Sequence, residues 1–144
     1  MRIRRAGSED AEAVADVFIA ARKPMLAYLP DLHTEEDIRG WIARVVASKE
    51  VWVAEDDGTV RGFSSLEDDL LGHLYVDPRF QNRGIGTALL DQAKSQRREG
   101  LRLWVFQQNT GARRLYERNG FDVLELKDGS GNEEGVPDAL YGWR

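Results

Sequence analysis

The chain has 144 residues, 42% of them hydrophobic, the length and apolar content of one domain able to bury a core. It has no cysteine and two well-separated histidines, which excludes a disulfide framework, a thiolate nucleophile and a thiolate zinc site, and no metal is expected. A formal charge of -5, from 20 Lys and Arg against 25 Asp and Glu, argues against a broad basic face for nucleic acid.

Met1 to Arg5 alternates as a short edge strand, and Ser8 is placed to cap a helix with Glu9 and Asp10 in its first turn. Val14, Val17, Phe18 and Ala21 form the apolar stripe of that helix, which Pro24 interrupts before the connecting segment YLPDLH. Thr34 caps the next helix near Asp37, and Ile38, Trp41, Ile42, Val45 and Val46 recur at helical spacing. VWVAEDDGTVRGFSSLE predicts two strands around a DDG turn, and LLGHLYV a third. Thr87 to Glu99 follows as a helix with Leu89, Leu90 and Ala93 inward, then a strand, LRLWVF, and a short helix from Gly111 to Arg118. FDVLELK and ALYGW close the chain as strands around the polar loop DGSGNEEGVPD. The order βααβββαβαββ describes a single α/β (α+β) domain over residues 1–144, with a mixed, mainly antiparallel sheet and about four helices. No run approaches the roughly eighteen apolar residues of a membrane span, so a soluble cytoplasmic protein without membrane contact is expected.

The stretch QNRGIG, residues 81–86, joins an apolar strand to a helix. Paired glycines there serve equally as a surface turn. At a helix start, however, several unpaired amides and the positive end of the helix dipole point at one place, and glycine lets an anion approach the backbone. Gly84 and Gly86 then clear the way, Gln81 and Arg83 add donors, and a diphosphate suits the loop better than a neutral ligand. Arg79, Arg83, Arg97, Arg98, Arg113 and Arg114 lie near or after the loop and would draw an anion in. Two other phosphate loops do not fit: there is no Gly-Lys followed by Ser or Thr, and Leu89 stands where the dinucleotide fingerprint needs its third glycine.

LYVDPRFQNRGIGTALL resembles the cofactor segment of the GNAT superfamily of N-acetyltransferases, with Gln81, Gly84 and Gly86 in place, and NTGARRLYERNGF resembles the segment that follows it. The element order agrees over nearly the whole chain. The resemblance implies a splayed pair of parallel strands, HLYV and LRLWVF, with acetyl-CoA as co-substrate between them. It implies that Leu74, Tyr75 and Val76 line pantetheine through their backbone. Gln81, Asn82, Arg83, Gly84, Ile85, Gly86 and Thr87 would hold pyrophosphate, with Asn109 and Ala112 close to pantetheine. The backbone N–H near Val76 is the expected donor to the thioester carbonyl.

The same resemblance implies direct acetyl transfer to a primary amine of a small molecule, peptide or protein, with both reactants bound together. Tyr116 stands where the family carries the tyrosine that protonates the leaving thiolate; as residues alone, it is also a packing anchor beside Leu115. For the general base, His73, a glutamate such as Glu67 and a chain of waters all remain open. Tyr28 and His33 fall in the family's variable acceptor region. The loop carrying Asn132, Glu133, Glu134 and Asp138 is placed to fold over the acceptor mouth and attract a cationic amine, or to be a solvated turn. Tyr28, Tyr141 and Trp143 add an aromatic wall or pack the core. The alternative to an enzyme is a non-catalytic CoA or acyl-CoA sensor, and the apolar C-terminal strand ALYGWR would allow a homodimer.

Overall fold

A computed structural model describes residues 1–144. Its strands are β1 (Arg2–Arg5), β2 (Glu50–Asp56), β3 (Thr59–Glu67), β4 (Leu70–Val76), β5 (Leu101–Phe106), β6 (Asp122–Lys127) and β7 (Asp138–Trp143). Its helices are α1 (Ala11–Arg22), α2 (Glu35–Ser48), α3 (Ile85–Gln96) and α4 (Thr110–Arg118). The expected order of elements is therefore the observed one, in a seven-stranded sheet arranged β1-β2-β3-β4-β5-β7-β6. β4 and β5 are parallel and every other pair is antiparallel.

Local chemistry accounts for the boundaries. The β2–β3 hairpin turns through Asp57 and Gly58, both at positive φ (52° and 74°), as a tight two-residue turn requires. The Thr34 hydroxyl accepts from the Asp37 amide at 3.1 Å and caps α2 as expected. Ser8 does not cap α1. It opens a 3-10 turn, Ser8–Asp10, and Asp10, the N-cap residue of α1, makes no side-chain bond to a helix amide; its carboxylate accepts from the Gly7 amide at 2.8 Å while Arg4 holds it in an ion pair at 2.8 Å. That guanidinium holds the Asp10 carboxyl below its ordinary range. α1 ends before Pro24, and a 3-10 turn, Lys23–Ala27, carries the chain over the sheet.

The two faces of the sheet are covered differently. α1 and α2 pack Val14, Val17, Phe18, Ile42 and Val45 against Val51, Val53 and Phe63 on one face. On the other, α3 buries Ile85 and Leu89 beneath Leu74 and Val76, and α4 buries Tyr116 against Leu103, Val105 and Tyr141. Each fully buried Leu, Val or Phe contributes roughly 1.5–3 kcal/mol of transfer free energy, so these clusters hold the layers together. Tyr141 is fully buried and is core, not an aromatic wall. No helix is long and apolar enough to cross a membrane.

Candidate functional site

β4 and β5 share one register pair, Leu70 with Arg102, and diverge beyond it. Asp77 donates its amide to the Arg61 carbonyl on β3 at 2.8 Å, so by the alternation of an antiparallel strand the N–H groups of Leu74 and Val76 turn away from β3, toward the gap. The gap opens into a cavity of about 430 Å³, within the range of small-ligand sites. It passes through the sheet. Leu74, Val76, Ala112, Leu115 and Tyr116 line it on the α3 and α4 side, and Ala21, Pro24, Met25, Tyr75 and Phe106 on the α1 side.

The glycine loop borders the α3 mouth. Gly84 is the N-cap of α3 in the left-handed conformation (φ 83°), and a Cβ there would meet nothing within 4 Å, so the space over the helix start is open. The first amides of α3 lie at this mouth without helical partners, a donor set that fits a diphosphate. Gly86 lines the cavity and has a packing role besides. A Cβ at Gly86 would stand 3.0 Å from Leu115 Cδ2, so this glycine lets α3 approach α4. Gln81, Asn82, Ile85 and Thr87 line the cavity, with Asn82 also at positive φ (64°). Arg83 is not in the lining; its guanidinium lies over the Phe80 ring at 5.1 Å, as does that of Arg61 at 3.9 Å.

α4 is set by Asn109, whose Oδ1 accepts from the Ala112 amide at 3.2 Å, and all of Asn109, Ala112 and Tyr116 line the cavity. Burial pushes the Tyr116 hydroxyl well above the ordinary phenol range, which keeps it protonated. The phenol at the cavity wall is therefore present in its protonated form. Arg113 donates to the Tyr141 hydroxyl at 2.8 Å and to the Gln107 carbonyl at 3.3 Å, which fixes its side chain against the domain.

Of the two candidate bases only His73 reaches the cavity. It faces α1 and α2 among Trp41, Phe63, Tyr75 and Phe18, with ring centroids 5.3–6.4 Å away. Its Nδ1 lies 2.6 Å from Ser65 Oγ. Burial, with a smaller contribution from the Arg22 charge, pulls its pKa down to about 4, so the ring is neutral at physiological pH. Glu67 sits at the closed end of the strand pair, opposite Leu70, exposed and paired with Lys49. Its place excludes it from the chemistry of the open end.

The acceptor-side residues fall into place unevenly. The segment after β6 does fold over the α1 side, where Val136 packs with Met25 and Leu29. Its glutamates already have partners: Glu133 lies 2.6 Å from His33 Nε2 on the exposed rim, and Glu134 pairs with Arg22 at 3.5 Å. Tyr28 packs edge-on against Phe106 at 6.4 Å and is wall support. Asp138 does line the cavity, as do Trp104 and Phe106 from the far arm of the V. Sequence reasoning passed over these β5 residues, although their alternation with buried Leu103 and Val105 places them on the acceptor face.

Family comparison agrees with this geometry. The acetyltransferase (GNAT) domain family matches residues 47–123, which span β2 through the start of β6. Peptidyl-lysine N-acetyltransferase YiaC of Escherichia coli (strain K12) is 38% identical over 81 residues, 56% of this chain; the match spans only about half (55%) of that relative. Spermidine N(1)-acetyltransferase of Thermoplasma acidophilum is 32% identical over 155 aligned positions, covering 90% of this chain and 92% of the relative. The structure of yncA from Salmonella typhimurium with its cofactor acetyl-CoA superposes with a TM-score of 0.76 at 21% identity, covering 100% of this chain and 93% of that one. The chain belongs to the GNAT acetyltransferase domain family.

Proposed function

We infer that this protein is an acetyl-CoA-dependent N-acetyltransferase that moves an acetyl group directly to a primary amine while both reactants are bound. The observation that carries this reading is the cavity that crosses the sheet between β4 and β5, with a phosphate-type helix start at one mouth and a separate apolar mouth at the other. Acetyl-CoA supplies an acetyl group already activated as a thioester. Gly84 and the first amides of α3 hold its pyrophosphate, the free backbone of Leu74 and Val76 holds pantetheine, and the Val76 N–H is available to the carbonyl oxygen. A well-aimed donor of that kind lowers the barrier by on the order of 3 kcal/mol.

Proton transfers fall to two side chains on opposite sides of the gap. With Nδ1–H donating to Ser65, His73 Nε2 carries the lone pair that takes the acceptor's proton; a ring with a pKa near 4 relays that proton to solvent instead of storing it. As the C–N bond forms and the C–S bond breaks, the Tyr116 hydroxyl donates its proton to the departing sulfur. The test is thiol release from acetyl-CoA across polyamines, amino acids, peptides and simple amines. Amine-dependent release supports the enzyme. Tight acetyl-CoA binding without release from any amine favours a CoA-binding sensor instead.

A further inference from the structure

Three carboxylates from the segment between β6 and β7 lie on the acceptor side, and they differ in one respect. Glu133 is hydrogen-bonded to His33, and Glu134 is in an ion pair with Arg22. Asp138, the first residue of β7, takes part in no ion pair and lines the cavity. It is opposite Phe106 in the β5–β7 register, so the two share the face turned toward α1. One carboxylate oxygen accepts from Asn132 Nδ2 at 3.2 Å. Asn132 is itself fixed, accepting from the Gly135 amide at 2.7 Å and donating to the Val136 carbonyl at 2.8 Å. The loop therefore holds the Asp138 side chain in place without cancelling its charge.

The neighbouring wall is apolar: Pro24, Met25 and Phe106. Arg22, the nearby cation, is committed to Glu134 and lies over the Phe18 ring at 5.4 Å. A half-buried, unpaired carboxylate beside apolar side chains selects a single positive charge carried on an apolar stem. A second ammonium would be buried against Met25 and Phe106 without a partner. An α-carboxylate next to the amine would meet Asp138 as a like charge, and the nearby cation, Arg22, is already paired with Glu134.

We propose that Asp138 anchors the acceptor ammonium and that the acceptor is a primary monoamine on an apolar stem, not a polyamine or a free amino acid. This rests on the acetyltransferase reading and names the substrate class of that site. Both a free alkylamine and the side chain of a peptide lysine have this chemistry.

The experiment is calorimetric titration of CoA-saturated protein with n-hexylamine, Nα-acetyl-lysine methylamide, spermidine and leucine, repeated with Asp138→Asn. Asparagine keeps an acceptor oxygen for Asn132 and removes only the charge. Hexylamine or the capped lysine should bind more tightly than spermidine and leucine, and whichever of the two binds better identifies the free or peptide source. Asp138→Asn should weaken that binding about tenfold or more, the scale of a lost charge-assisted contact. CoA affinity in the variant should match wild type, which separates this test from the cofactor assignment. Binding of neither monoamine, tighter binding of spermidine or leucine, or unchanged monoamine affinity in Asp138→Asn overturns the proposal. If CoA itself fails to bind, the acetyltransferase reading falls, and the proposal with it.

Discussion

Leu70 faces Arg102 as the one register pair between β4 and β5, and the Arg102 amide donates to the Asp69 carbonyl just before it at 2.8 Å. Asp69 also accepts from the Arg102 side chain at 2.8 Å, so the closed end of the V is clamped by backbone and side chains together. Everything beyond that clamp depends on the strands not pairing, because a zipped β4–β5 ladder would have no room for a ligand.

Gly84→Val tests the loop. Valine is β-branched and must adopt φ near 83° at the cap of α3, at a cost of roughly 1–2 kcal/mol, with its methyls in the open space above the helix start. Acetyl-CoA affinity should fall about tenfold or more, and the melting temperature only by the few degrees that this strain implies. Gly86→Val should lower the melting temperature chiefly by crowding Leu115, 3.0 Å from the added Cβ.

Tyr116→Phe removes one hydroxyl and leaves the ring to pack against Phe121 and Tyr141. Turnover should drop roughly 100-fold or more, with acetyl-CoA affinity unchanged, because the hydroxyl acts on the departing sulfur. Turnover equal to wild type would make Tyr116 a packing residue only.

His73 gives a pH signature in stability. Its folded pKa, about 4, lies below the ordinary histidine value of 6.5, so its contribution is fully present above pH 6.5 and is lost as pH falls toward 4. The loss is on the order of 3 kcal/mol, so the stability difference between wild type and His73→Phe should be flat above pH 7 and shift by that amount as pH falls toward 4. Chemical denaturation of both proteins from pH 4 to 8 measures it. A parallel pH dependence in the two would mean that His73 is not held neutral by burial.

Glu67→Gln should keep turnover within about twofold of wild type, since Glu67 pairs with Lys49 at the closed end of the V and exposed pairs of this kind contribute little. A large loss of kcat would restore Glu67 as a candidate base.

Much of this was legible in the sequence, because periodicity and turn chemistry are local. The Asp57-Gly58 hairpin, the Thr34 cap and the α3 stripe of Leu89, Leu90 and Ala93 form as those residues dictate. What eluded the sequence depends on partners distant along the chain. Glu133 and Glu134 read as a free acidic loop until folding brings His33 and Arg22 to them. Gly86 reads only as part of a cradle, and its second role, admitting Leu115 from α4, appears with the fold. Ser8 opens a 3-10 turn instead of capping α1, in a corner where the Gly7 amide and Arg4 hold the Asp10 carboxylate. Asp138 stood in the same acidic segment as the glutamates, and only the β5–β7 register separates it from them by bringing it to the cavity.

Amide hydrogen exchange with and without saturating acetyl-CoA decides whether acetyl-CoA occupies the gap between β4 and β5. Protection should increase at Leu74 and Val76, through residues 84–87 at the start of α3, and at Ala112, while the closed end around Leu70 and Arg102 stays unchanged. Protection confined to other segments, or none at Leu74, Val76 and the α3 start, would contradict the account.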